Sequence, residues 1–244
     1  MKILISDYDG TFDTSESVIK LNCKKINEFI EDGNLFVLSS GRSRKSLSDK
    51  VVEHKIPYTH LGCCDGSFLF DKENTMHFAF TMPHDSIDVL SELTKQKKHL
   101  KLEYAYPEDY CEEYDKFKLL GSVALTIEDG KIDEEFTRTF EKIRASHPEY
   151  QYDVYGHKGL TFYLVRPHGV SKSSPIEYLR EKYRVGKEDV FTIGDNANDI
   201  DLIKDYNGFR IGRDESLPHV ELKEYGAVHE LIDDIVQKKV LKRW

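Results

Sequence analysis

The chain has 244 residues, with 35 Lys and Arg against 44 Asp and Glu, so its formal charge is −9 and its pI about 5.6. A hydrophobic fraction of 39% with 15 Gly and 7 Pro can fill a sizeable core, which excludes disordered and collagen-like chains. No apolar run approaches the roughly 18 residues of a membrane helix, and an acidic surface repels nucleic-acid phosphates; a cytoplasmic protein without membrane or nucleic-acid partner, monomer or homodimer, is expected.

The first predicted element is a strand, Lys2-Ile3-Leu4-Ile5-Ser6, an unbroken apolar run of the kind buried on both faces of a parallel sheet. It ends at Asp7-Tyr8-Asp9-Gly10-Thr11. Apolar residues then recur at helical spacing from Glu16 to Asp32, and Gly33 supplies the stop. Leu35 to Leu38 reads as a second buried strand, ending at Ser39-Ser40-Gly41-Arg42, and Ser43 to His54 as a helix. The last third repeats this grammar. A helix from Pro175 to Tyr183 with Ser174 as cap, a strand from Val190 to Ile193, a helix from Ala197 to Lys204, a short strand at Phe209 to Ile211 and a last helix from Val228 to about Val240 follow in turn. Alternating strands and helices predict an α/β fold with a parallel sheet.

Between these parts the pattern changes. A helix near Asp85 to Lys97, strands at Leu100 to Tyr106 and Val123 to Ile127, a helix at Glu134 to Ala145 and an alternating stretch at Tyr150 to Tyr155 predict an inserted α+β module. The four cysteines, Cys23, Cys63, Cys64 and Cys111, show no metal-binding or disulfide spacing and are expected as free thiols.

Four polar clusters fall at strand ends or helix starts: Asp7 with Asp9, Ser40, Lys172, and Asp195 with Asn198 and Asp199. Open α/β sheets bind ligands beyond the carboxyl ends of their strands, so sequence-distant loops converge there. Two carboxylates two residues apart on an extended segment face the same way and repel unless a cation lies between them. Asp195 and Asp199 would complete an oxygen cage suited to Mg²⁺. Such a site serves phosphoryl transfer: a carboxylate attacks, a cation and a hydroxyl hold the equatorial oxygens, and a second acid protonates the leaving alkoxide. Asp7, Lys172, Ser40 and Asp9 fit these parts. Taken singly, each cluster also reads as an Asx turn, a helix cap or a surface lysine. Their joint placement carries the argument.

Asp7-Tyr8-Asp9-Gly10-Thr11, Ser40-Gly41-Arg42, Lys172 and Gly194-Asp195-Asn196-Ala197-Asn198-Asp199 resemble the four motifs of the haloacid dehalogenase (HAD) superfamily. Their order resembles its Cof-type, C2-capped (IIB) branch, in which an α+β cap lies between the second and third motifs. The resemblance implies a Rossmann-like parallel-sheet core over residues 1–82 and 161–244 with a cap over 83–160. It implies Asp7 as nucleophile and Mg²⁺ ligand, and Asp9 as general acid/base whose backbone carbonyl also reaches the metal. Thr11 would support the loop, Ser40, Gly41 and Lys172 would bind the phosphoryl group, Asp195 would ligate the metal, and Asn198 and Asp199 would support metal and lysine. The implied activity is Mg²⁺-dependent hydrolysis of small phosphorylated metabolites through an aspartyl-phosphate. A phosphotransferase or phosphomutase of the same superfamily, and a non-catalytic binding module, are the alternatives.

Three positions depart from the branch. Ser40 replaces Thr and keeps the hydroxyl; Ser173 follows Lys172 where Gly is usual. Asp65-Gly66 stands for Asn-Gly in a stretch that borders the substrate in relatives. A carboxylate there accepts hydroxyl donors and repels a second phosphate, which favours sugar or polyol monophosphates; the same pair also reads as a hairpin turn between Leu61 and Phe70. The cap is expected to act as a lid and to carry specificity, while most of Tyr104, Tyr106, Tyr110, Tyr114, Lys116, Lys118, Tyr155 and His157 are expected to be structural.

Overall fold

The computed structural model describes residues 1–83, 100–128, 130–157, 159–212 and 223–240. The helix expected over Asp85 to Lys97 lies outside them. Two compact units emerge, Met1–Phe78 with Ser171–Trp244, and Ala79–Val170.

The first unit begins with β1 (Ile3–Ser6), α1 (Glu16–Glu31), β2 (Leu35–Ser39), α2 (Arg44–His54), β3 (His60–Cys63), β4 (Phe68–Asp71) and β5 (Met76–Ala79). After the insertion it resumes with α4 (Ser174–Tyr183), β11 (Val190–Gly194), α5 (Ile200–Lys204), β12 (Asn207–Ile211), β13 (Glu224–Tyr225) and α6 (Val228–Val236). Among the described residues its strands form one sheet in the order β13-β12-β11-β1-β2-β3-β4-β5, parallel from β13 to β3, with β4 antiparallel to β3. Ile3, Ile5, Leu35, Val37 and Val190 pack on one face with Ile176 and Leu179 of α4 and Leu202 of α5. Leu4, Phe36 and Phe191, which pair side by side across β1, β2 and β11, alternate to the other face and are equally buried. Both faces are therefore dry, which is why these strands read as continuous apolar runs.

Chain order runs outward from β1 through β2 to β3 on one side and from β11 through β12 on the other. The switch in direction lies between β1 and β11, where open sheets leave a crevice at the strand ends.

The inserted unit carries β6 (Leu100–Ala105), β7 (Tyr110–Cys111), β8 (Ser122–Glu128), α3 (Glu134–Ser146), β9 (Tyr150–His157) and β10 (Leu160–Pro167). Its sheet has the order β7-β6-β8-β10-β9, every pair antiparallel. Helix α3 starts at Asp133, whose carboxylate accepts the Phe136 N–H at 2.7 Å, and presents Phe136, Phe140 and Ile143 to Leu102, Leu125 and Tyr163.

Several boundaries differ from expectation. The insertion ends at Val170, ten residues beyond the expected limit, because β10 pairs along its length with β8 and β9. The expected helix over Ala197 to Lys204 is a 3₁₀ turn at Ala197–Asp199 followed by the short α5, since the Asp199 carboxylate turns back onto backbone N–H groups. Ser174 is the first residue of α4 rather than its cap; its hydroxyl accepts the Ser171 N–H at 2.9 Å. Helix α6 stops at Val236, with Lys238 left-handed at φ 56°. Among the described residues no helix is long and apolar enough to cross a membrane.

Candidate active site

The ends of β1, β2 and β11 place Asp7, Ser40 and Asp195 directly after their strands. The Asp7 N–H donates to the Ile193 carbonyl (3.0 Å), and the Ser40 N–H to the Gly62 carbonyl (2.9 Å), so each loop leaves the sheet with its backbone fixed. Lys172 lies in the loop before α4, held there by the Ser39 hydroxyl, which donates to its carbonyl at 3.0 Å. Two glycines tighten the assembly. A Cβ on Gly10, at φ +84°, would lie 2.5 Å from Asp195 Oδ2, and one on Gly66, at φ +89°, would lie 1.8 Å from the Ser171 carbonyl oxygen.

Three carboxylates and one ammonium meet at this point. Lys172 Nζ donates to Asp7 Oδ1 at 2.7 Å and to Asp199 Oδ1 at 2.8 Å, and all three side chains are buried. The second oxygen of Asp199 accepts the N–H groups of Asp195 (3.1 Å) and Asn196 (3.3 Å). The Thr11 hydroxyl donates to Asp195 Oδ1 at 2.7 Å. Asp7 Oδ2 is buried and has no hydrogen-bond partner.

Burial and the Asp199 carboxylate push the Asp7 carboxyl well above the usual range, against the pull of Lys172. Asp195 is raised by burial above all, against its bond from Thr11. Burial would lower the Lys172 ammonium, but the Asp199 and Asp7 carboxylates, with Asp65 beyond them, reverse that and hold it well above the ordinary lysine value.

Oxygen atoms of Asp7, Asp195 and Asp199 lie within 4.8 Å of one another. Unit charges that close repel by about 3 kcal/mol at an effective dielectric of about 20. One ammonium against three carboxylates leaves two negative charges. That excess and the all-oxygen donor set fit a divalent, oxygen-preferring cation such as Mg²⁺.

Ser40 is buried, and its hydroxyl oxygen accepts the Arg42 N–H at 3.1 Å. Asp9 lies outside the carboxylate cluster. Its side chain is 51% exposed, and both of its oxygens accept from Arg42, from Nε and Nη2 at 2.7 Å each. Asn198 is exposed and enters the network through its backbone, whose N–H donates to Asn196 Oδ1 at 3.0 Å.

The turn between β3 and β4 is a hairpin, as expected for Asp65-Gly66, yet it is drawn into the site. Asp65 is buried, its N–H donates to the Ser40 carbonyl at 3.1 Å, and its carboxylate would lie 3.1 Å from a Cβ on Gly41. Cys64 and Asp65 are both left-handed, at φ 51° and 53°, a conformation costing L residues roughly 1–2 kcal/mol each.

In the inserted unit Tyr104 and Tyr106 are core residues, and Tyr155 stacks on Phe162 at 5.3 Å. A cavity of about 600 Å³ within that unit, lined in part by Tyr106, Tyr114 and Lys118, contains none of the motif residues. The residue to which sequence reasoning gave no part is Arg42. It stands inside the Ser40-Gly41-Arg42 motif, but its partner Asp9 is 33 residues away and no spacing rule connects them.

A family model described as haloacid dehalogenase-like hydrolase matches residues 4–118 and 106–211. No curated protein matches the sequence. Among similar solved structures is a haloacid dehalogenase-like hydrolase from B. subtilis, with TM-score 0.76 and 15% identity over 99% of this chain and 100% of that one. A sugar phosphatase of HAD subclass IIB has TM-score 0.71 and 13% identity over 99% and 100%. The sucrose-phosphatase of Synechocystis sp. PCC6803, solved with sucrose and phosphate, has TM-score 0.71 and 15% identity over 98% of each chain.

Proposed function

The chain belongs to the haloacid dehalogenase-like hydrolases, and from that premise we propose that it is a Mg²⁺-dependent phosphatase of small phosphorylated metabolites working through an aspartyl-phosphate on Asp7. The observation that carries this reading is the Asp7 carboxylate: Oδ1 is pinned by Lys172, while buried Oδ2 keeps its lone pairs uncommitted. That oxygen would attack phosphorus as the ester O–P bond breaks, and the leaving oxygen would take its proton from Asp9. In the second half Asp9 would accept a proton from the attacking water, and Asp7 would be released with inorganic phosphate.

Lys172 is suited to hold a phosphoryl oxygen as well as Asp7. Ser40 accepts from Arg42 through its oxygen, so its own hydrogen is available to the phosphoryl group. Gly41 adds no side chain to that loop. Asp7 and Asp195, with the Asp9 carbonyl, would hold the cation, and Thr11 and Asp199 brace them. Bound Mg²⁺ would offset the excess carboxylate charge and the charge of the transferring group.

The Asp65 carboxylate beside Gly41 supports sugar or polyol monophosphates, since it accepts hydroxyl donors and repels a second phosphate. The test is phosphate release from a panel of sugar, polyol, nucleotide and cofactor monophosphates, with Mg²⁺ and with a chelator. Release from sugar or polyol esters that the chelator abolishes and added Mg²⁺ restores is expected. No release across the panel contradicts the reading, and transfer to a labelled sugar acceptor in place of free phosphate would make the protein a phosphotransferase.

A further inference from the structure

Arg42 is held through both its backbone and its side chain. Its backbone N–H donates to Ser40 Oγ (3.1 Å), and its carbonyl accepts the Cys64 N–H (2.9 Å), so the main chain belongs both to the Ser40 loop and to the turn carrying Asp65. The guanidinium lies over the ring of Tyr8 at 5.5 Å from its centroid, and Nη1 donates to Ser46 Oγ at 3.0 Å. Tyr8 is fully buried and stands between Asp7 and Asp9 in the chain. The remaining edge of the fork, Nε and Nη2, meets both Asp9 oxygens at 2.7 Å.

As a contribution to stability this pair counts for little, because half-exposed ion pairs are worth about 0–1 kcal/mol. As a geometric device it counts for more. A planar fork with a fixed base admits a carboxylate in one orientation, which a lysine ammonium does not enforce. Without it, the half-exposed Asp9 side chain is free to take other rotamers.

We propose that Arg42 is a positioning residue for the general acid: its guanidinium holds the Asp9 carboxylate in a fixed relation to Asp7 and Ser40, and so governs protonation of the leaving oxygen. The inference rests on the reading of Asp9 as the acid of a phosphatase. When the ester O–P bond breaks, both electrons go to the leaving oxygen and the Asp9 proton completes the alcohol. Arg42 neither gives nor takes a proton.

The test compares an alkyl ester, glycerol phosphate, with p-nitrophenyl phosphate, whose leaving group needs little protonation. Arg42→Ala, Arg42→Lys, Asp9→Asn and the Arg42→Ala/Asp9→Asn double variant are assayed in the full chain with Mg²⁺. Arg42→Ala is expected to lower kcat on the alkyl ester at least about 10-fold and on the aryl ester no more than about 3-fold, with KM for both within about 3-fold. Arg42→Lys keeps the charge without the fork and should show the same selective loss, smaller in size; it carries the test if the alanine variant does not fold. The double variant should turn over glycerol phosphate no more slowly than Asp9→Asn alone. Equal losses on both esters, a rise in KM at constant kcat, or additive losses in the double variant would overturn the inference. Equal losses in Asp9→Asn itself would instead overturn Asp9 as the acid.

Discussion

Where the first unit buries Asp7, Lys172 and Asp199 at the ends of its strands, the inserted unit buries rings. Phe140 meets Tyr163 at 4.7 Å and Tyr152 at 5.7 Å edge-on, and Phe136 meets Tyr163 at 5.2 Å. Among the described residues of that unit only Ser122 and Arg166 are buried polar side chains; the Ser122 hydroxyl is neutral and unpartnered, and the charged Arg166 is matched by Asp153 at 2.7 Å and by the Val170 carbonyl. The first unit instead leaves a buried carboxylate oxygen unmatched and crowds three acids around one ammonium. Buried charge is costly unless paired. Excess charge kept at the crevice of an open sheet marks the place where chemistry is expected, whereas the inserted unit follows packing alone.

The contrast is tested first at its centre. Asp7→Asn should lower turnover by more than about 10⁴-fold, because an amide is a poor nucleophile. Its melting temperature should stay level or rise, since one of three crowded negative charges disappears. Phosphate release and thermal unfolding read the two effects; a large loss of stability would mean that the Asp7–Lys172 pair serves the fold more than the chemistry.

In the inserted unit the expectation is reversed. Phe140→Ala removes a ring from the core and should destabilise that unit by about 3–5 kcal/mol, while Mg²⁺ binding by the first unit persists. Urea unfolding and a Mg²⁺ titration check the two halves of the statement. Loss of Mg²⁺ binding in this variant would break the division of labour.

A smaller effect separates structural from chemical ionisation within the first unit. His60, at the start of β3, is buried; burial first, then the charges of His77 and Lys182, push its imidazole down to about 4, while Asp71 opposes. The folded state therefore binds fewer protons than the unfolded state between pH 6.5 and about 4. Its contribution is fully present above that window and is lost as the pH falls through it. From pH 7 to pH 5 the loss is about 2 kcal/mol. Urea denaturation at both pH values should show that drop in the parent and a shallower one in His60→Gln; equal slopes would place the acid sensitivity elsewhere.

Much of the first unit is legible in the sequence because doubly buried parallel strands leave unbroken apolar runs, as at Ile3 to Ile5 and Val190 to Ile193, and caps mark the helices between them. Strand β3 is marked only by the hairpin reading of Asp65-Gly66, since His60-Leu61-Gly62-Cys63 itself carries neither alternation nor a β-branched run. The end of the insertion is not legible, since the expected limit at residue 160 falls at the start of β10, whose partners are the antiparallel β8 and β9. At the site, Asp7, Lys172 and Asp199 are legible because the α/β grammar alone sends their loops to one sheet edge. The engagement of Asp9 by Arg42 is not, because it depends on side-chain directions in two loops.

The proposed chemistry turns on Asp7 taking the phosphoryl group. Its most direct test is to mix the Mg²⁺-loaded protein with a radiolabelled phosphate ester, quench in acid within one turnover, and map the protein-bound label. Label on the peptide containing Asp7, absent from Asp7→Asn, is the predicted result. Linear phosphate release with no label on the protein, or label on another residue, would contradict it.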